Sequence, residues 1–187
     1  MQIVNLSVTA TAFVVSAAAQ AAIYVPADWS SNAFGNGSAS VTSAAPGSIS
    51  LNYDFDGNEA MYDGALTARF VNTATEDGAV TFSWAFNGNH SWYDATATMN
   101  IFVTHGSATN NFSAYDGNVS GQFSFTGSYT VDLKAGDQWG ITVGGSNFDS
   151  SLFLHGVVTL TGTPVPAPGA LALVGAAGLI GGRRRKA

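Results

Sequence analysis

Cysteine is absent from the 187 residues, so no disulfide staple, thiolate nucleophile or cysteine-ligated zinc is available. Charge is scarce: 10% of residues are ionic, against roughly a quarter in an average soluble domain. Cations are scarcer still. Of the six Lys and Arg residues, four are the consecutive Arg183, Arg184, Arg185 and Lys186, so Arg69 and Lys134 alone face all twelve acids, and the chain outside that cluster carries −10. Nucleic-acid affinity is built from cations that neutralise phosphates, so a nucleic-acid partner is excluded. Between residues 23 and 162 there is no sustained apolar stripe at helical spacing, no Gly-x-Ser-x-Gly elbow and no His-Glu-x-x-His pair. The chemistries those patterns serve lose their sequence support.

What the chain has instead is glycine, 22 residues of it, together with many Ser, Thr and Asn. Neutral hydroxyls and amides solvate the surface. Runs such as "SISLNYDF", "ALTARFVN", "AVTFSWAF", "ATATMNIFVT", "GQFSFTGSYTVDL", "WGITVGG" and "LFLHGVVTL" alternate apolar and polar residues and are rich in aromatic and β-branched side chains, the signature of half-buried strands. Turn signals stand between them at Asp56-Gly57-Asn58, Asp63-Gly64, Asp77-Gly78, Asn87-Gly88, Asp116-Gly117 and Gly136-Asp137. The expected fold is all-β, an antiparallel β-sandwich or jelly-roll-like domain built from successive hairpins. In detail, Gly127 reads as a bulge or bend. "YTVDLKAGDQWGITVGG" reads as a hairpin that Val131 and Leu133 enter and Ile141 and Val143 leave. The Ser-, Ala- and Gly-rich region 27–47 reads as loose or as an edge strand, and Trp84 and Trp139 read as core.

Both ends look unlike the middle. "MQIVNLSVTATAFVVSAAAQAA" has an apolar stretch followed by Ala19-Gln20-Ala21, an A-x-A-like site. It predicts a secretory signal peptide over 1–22 for a signal peptidase, although no Lys or Arg precedes the apolar stretch. The folded domain is expected over 23–162 and an appendage over 163–187. There Pro164, Pro166 and Pro168 alternate with small residues and impose an extended spacer. The uncharged "GALALVGAAGLIGG" then predicts a short transmembrane helix from Pro168 to Gly182. Fifteen residues rise only about 22 Å, less than the roughly 30 Å hydrocarbon layer, so Arg and Lys stems must snorkel to complete the span. The cations after it predict a cytoplasmic end and an exported body.

Spacer (Pro164, Pro166, Pro168), apolar segment and basic cluster (Arg183, Arg184, Arg185, Lys186), in that order, resemble the PEP-CTERM sorting signal of Gram-negative and related bacteria. The name-giving Pro-Glu-Pro is Pro166-Ala167-Pro168 in this chain. The resemblance implies a transient inner-membrane anchor and a membrane-embedded exosortase that removes the tail. The body is then released or transferred to the cell surface or exopolysaccharide matrix.

Candidate sites in the body are few. Asn52, Asp54 and Asp56 occupy alternate positions before Gly57, and Asp63 closes a twelve-residue window. Clustered oxygen ligands around a turn glycine suit Ca²⁺, in the manner of an EF-hand loop, but the flanks read as strands, and a plain hairpin explains the same residues. Trp92 and Tyr93, beside the loop signal in "NGNHSWYD", offer faces on which a sugar ring can stack, or pack into the core. His90, His105 and His155 are scattered and read as surface or satisfied histidines. The resulting expectation is a non-enzymatic structural protein of the surface or matrix. A carbohydrate- or calcium-dependent binding module is the alternative, and an exopolysaccharide hydrolase or a permanently anchored protein the weaker ones.

Overall fold

The computed structural model describes residues 24–35, 37–56, 66–146 and 153–162, with the backbone alone at 56, 91–94 and 146. The expected signal peptide, proline spacer, C-terminal helix and basic cluster lie outside the described residues, as does Asp63. Among the described residues no helix is long and apolar enough to cross a membrane.

After one turn of 3₁₀ helix at Pro26–Asp28 the described chain forms eight strands. They are β1 (Trp29–Phe34), β2 (Gly37–Ala45), β3 (Ser48–Asp56), β4 (Leu66–Thr73), β5 (Gly78–His105), β6 (Ala108–Leu133), β7 (Gln138–Ser146) and β8 (Phe153–Thr161). The alternation seen in the sequence is the burial pattern. In β4, Leu66, Ala68, Phe70 and Asn72 point inward while Thr67, Arg69 and Val71 stay half-exposed, as a two-residue period requires of a sheet with one face in the core.

All pairing is antiparallel, and β5 is the key to the architecture. It runs for 28 residues, several times the common strand length of about 5–6, and serves two layers in turn. Residues 78–90 pair with 121–133 of β6, and with β8 over 83–90, whereas residues 95–105 pair with 108–119 of β6, and with β7 over 96–104. At the crossing, His90 opposes Gly121 and Ala95 opposes Val119. Residues 91–94 thus face the single Ser120, a bulge that bends the strand from one layer into the other. One layer has the order β1-β4-β7-β5-β6 and the other β2-β3-β8-β5-β6.

The inner faces meet directly: Phe82 of the second layer lies 5.7 Å from Trp139 of the first, and Phe86 lies 5.8 Å from Tyr115. Trp139, Tyr53, Phe55, Phe70, Phe82 and Phe86 are essentially inaccessible to solvent, each contributing about 1.5–3 kcal/mol of burial energy. The two halves of β6 sit in opposite layers and close one side with stacked rings, Tyr115 on Phe125 at 3.9 Å and Phe112 on Tyr129 at 4.4 Å. On the other side the chain passes from β1 to β2, and the Ser31 hydroxyl donates to the Ala39 carbonyl at 3.0 Å. The domain is an all-β antiparallel sandwich, its layers joined through two shared strands.

Four sequence expectations change in detail. Residues 129–145 are not a hairpin: β6 pairs only with β5, and β7 with β4 and β5, so the 134–137 turn is an arch between layers. Val131, Leu133, Ile141 and Val143 all lie in the core, but on opposite layers and not on one ladder. Asn87-Gly88 and Asp116-Gly117 are not turns but interior positions of β5 and β6. Gly127 is no bulge, since it pairs with Trp84 in regular register; a Cβ there would strike the Trp84 ring. The 27–47 region supplies the edge strands β1 and β2, and Trp84 and Trp139 are buried as expected.

Candidate functional site

Strand alternation that fills the core with one set of side chains presents the other set outward. On the second layer these outward residues fall into register rows across β3, β8, β5 and β6. Asp54, His155, Asn89 and Gln122 form one row, and Asn52, Val157, Asn87 and Ser124 the next. Between the two rows lies an open depression of about 500 Å³, walled by Asn87, Asn89, Gln122, Ser124, His155 and Val157.

Its floor depends on two glycines. Inward Tyr53, Gly156, Gly88 and Phe123 occupy the intervening row, and a Cβ on either glycine would collide with the Tyr53 hydroxyl. The Tyr53 ring therefore lies beneath bare backbone, and its hydroxyl donates to the Asn87 carbonyl at 3.0 Å. Burial raises the Tyr53 pKa well above its ordinary value, because the phenolate has no water to stabilise it.

At one end of the depression the exposed His155 ring is stacked on Phe153, centroids 4.5 Å apart and planes within 9°. Beneath them, buried His90 places its Nδ1 3.0 Å from the Phe153 carbonyl. A carbonyl only accepts, so Nδ1 carries the proton and fixes the Phe153 backbone. Three carboxamides, a hydroxyl, an imidazole on a phenyl ring and the methyls of Val157 make a set without a cation of the Lys or Arg type or a carboxylate in its lining. Such a set can donate to and accept from alcohols and present an apolar face beside them.

The residues singled out in the sequence are only partly brought to this place. Asn52 and Asp54 do face outward on β3, but the Asn52 amide donates across to Thr42 Oγ1 at 3.1 Å and to the Ser40 carbonyl at 3.4 Å. Asp56 ends the strand, and the rest of the proposed calcium window, Asp63 included, lies outside the described residues. Among the described residues no group of three or more His, Asp or Glu side chains is placed to hold a metal. Trp92 and Tyr93 lie on the β5 backbone at the layer crossing, two and three residues after His90, and their side chains are outside the described part. His105 pairs with Asp137 at 2.7 Å, far along β5 from the depression. Asn87, Asn89, Gln122 and the Phe153–His155 pair were missed, because cross-strand register assembles them from three distant stretches.

No protein-family model matches the sequence, and no curated protein does. Solved structures with some overlap include the N-terminal cellulose-binding domain of Cellulomonas fimi β-1,4-glucanase C, at 10% identity over 73% of this chain and 88% of that one, TM-score 0.42. Another is the C-terminal family 22 carbohydrate-binding module of Clostridium thermocellum Xyn10B, at 13% identity over 79% and 94%, TM-score 0.39. A third is TmCBM61 in complex with β-1,4-galactotriose, at 10% identity over 74% and 90%, TM-score 0.38. Overlaps this partial assign the chain to no family and to no ligand.

Proposed function

We propose that this chain is a non-enzymatic carbohydrate-binding β-sandwich, exported and displayed at a bacterial cell surface or in its exopolysaccharide matrix. The observation that carries the binding half is the depression beside the Phe153–His155 ring pair, where carboxamides converge over a glycine floor. Sugars present alternating hydroxyls and C–H faces, and the lining offers a partner for each. Exopolysaccharide is the partner that joins this chemistry to the expected address.

Calorimetry of the purified protein against neutral oligosaccharides tests the binding. Kd values in the micromolar to millimolar range are expected, with His155→Ala weakening them at least about fivefold, or near 1 kcal/mol. If neither oligosaccharides nor the producing cell's own exopolysaccharide gives any heat, the protein is passive matrix material instead.

The address rests on the two ends of the sequence. Signal peptidase takes the leader at 1–22, the apolar helix holds the tail in the inner membrane, and an exosortase processes it beside Pro166-Ala167-Pro168. Calcium has only the spacing of Asn52, Asp54, Asp56 and Asp63 in its favour. Mass spectrometry of protein recovered from the cell surface is expected to find neither the leader nor Arg183–Lys186. A mature chain that still ends in that cluster contradicts exosortase processing.

A further inference from the structure

A second depression, about 490 Å³, lies on the same outer face and is walled by Ser83, Ala85, Thr126, Ser128 and Thr161. It is built from the same three strands, β5, β6 and β8, as the first. Along β5 the outward positions run Asn89, Asn87, Ala85, Ser83, opposite Gln122, Ser124, Thr126 and Ser128 on β6 and His155, Val157, Thr159 and Thr161 on β8. The two hollows are therefore consecutive along the strand direction. Six residues of strand at about 3.3 Å each separate Asn89 from Ser83, roughly 20 Å, the length of about four linked pyranose rings. Both hollows are open, not enclosed, as suits an internal stretch of a chain more than a terminus held in a closed pocket.

The charges select among polymers. The lining of both hollows contains no Lys, Arg, Asp or Glu, and the chain outside its terminal cations is at −10. An anionic chain would find no counter-charge along the track and repulsion around it. Resting on the carbohydrate reading above, the geometry points to one continuous groove along β5 and β6 that takes an internal stretch of about four residues of a neutral, unbranched polysaccharide. The ring pair lies at one end and the Ser/Thr hollow at the other.

Titration of the purified full chain with neutral oligosaccharide ladders of two to six residues (β-1,4-glucan, β-1,4-xylan and α-1,4-glucan), with oligogalacturonates as the acidic counterpart, tests this. On at least one neutral ladder, affinity is expected to rise about tenfold or more from the disaccharide to the tetrasaccharide and then level off. Ser128→Leu, which fills the far hollow from an exposed edge position, is expected to lower hexasaccharide affinity about tenfold, to that of the disaccharide. Thr161→Leu reaches the same hollow from β8 and serves if Ser128→Leu does not give a cooperative thermal transition. Equal affinity for all lengths overturns the extended groove and leaves the carbohydrate reading standing. Tighter binding of the oligogalacturonates overturns the neutral class. Absence of binding on every ladder overturns the groove, and absence of binding to the producing cell's own exopolysaccharide as well overturns both.

Discussion

Tyr53 shows how one side chain can hold a surface from behind. Its ring spans the inner side of Gly156 and Gly88, and its hydroxyl ends on the Asn87 carbonyl, so the outward carboxamides of Asn87 and Asn89 stand on a fixed floor. Tyr53→Phe removes that hydrogen bond and leaves the carbonyl short of a partner, a cost of about 1–2 kcal/mol near neutral pH. The pH dependence has a definite sign. Burial raises the folded pKa above the ordinary value of 10, so the hydroxyl's contribution is complete below pH 10. Above pH 10 the unfolded tyrosine ionises while the folded one stays protonated, and the contribution is lost as pH rises towards the folded pKa. Urea midpoints of the two proteins between pH 7 and 11 should differ most at neutrality and converge at the alkaline end. Parallel curves would refute a buried, neutral phenol at this position.

At the scale of elements, the 134–137 arch decides which strand finds which partner. The Asp137 carboxylate accepts from the Lys134 amide at 2.7 Å and meets His105 Nδ1 at 2.7 Å. Gly136 takes a positive φ of 91° that other residues rarely adopt. The Gly136 amide donates to the Ala74 carbonyl, the Ala74 amide to Asp137 and the Ala135 amide to Asp77 Oδ1, all within 2.9 Å. The arch is thereby tied to the β4–β5 connection. Asp137 is nearly buried, so Asp137→Ala should cost about 1–3 kcal/mol, measured as a fall in the denaturant midpoint with an unchanged slope. His105→Ala removes only a half-exposed partner and should cost less than about 1 kcal/mol; a larger loss than that of Asp137→Ala would put the anchor at the histidine instead.

The same arch marks how far the sequence could be read. Alternation in 129–133 and 139–143 marks both stretches as half-buried strands, which they are, because a two-residue period is a local property of the strand. Pairing is not local: an arch and a hairpin give the same alternation, and only the packing of opposite layers distinguishes them. Asn87-Gly88 was misleading for a related reason. A glycine that suits a tight turn suits equally a strand over which a tyrosine ring must lie, and the sequence records only the glycine. The candidate site suffers most, since Asn89, Gln122 and His155 become neighbours only once three registers are set. The alternate Asn52, Asp54 and Asp56 and the Trp92–Tyr93 pair were legible as local patterns, but local patterns do not build this face.

For the molecule as a whole, charge is sorted by place: four cations at the C-terminus, two elsewhere, and twelve acids. With the terminal cluster removed, as the proposed processing requires, the mature body at −10 has a net negative field that is weak beyond a Debye length of about 8–10 Å at physiological salt and reaches further in dilute buffer. A neutral glycan held by carboxamides and ring contacts is indifferent to that field. Its affinity should change less than twofold between about 20 mM and 500 mM sodium chloride, since dipolar hydrogen bonds and apolar contact release no counterions. An acidic glycan should behave oppositely, excluded in dilute buffer and approaching its neutral counterpart only as salt screens the repulsion. Calorimetry with one neutral and one acidic oligosaccharide of equal length, at both salt concentrations, separates the cases. Affinity for the neutral chain that collapses as salt rises would mean that ionic groups hold the ligand, and the uncharged face of β5, β6 and β8 would then be the wrong surface.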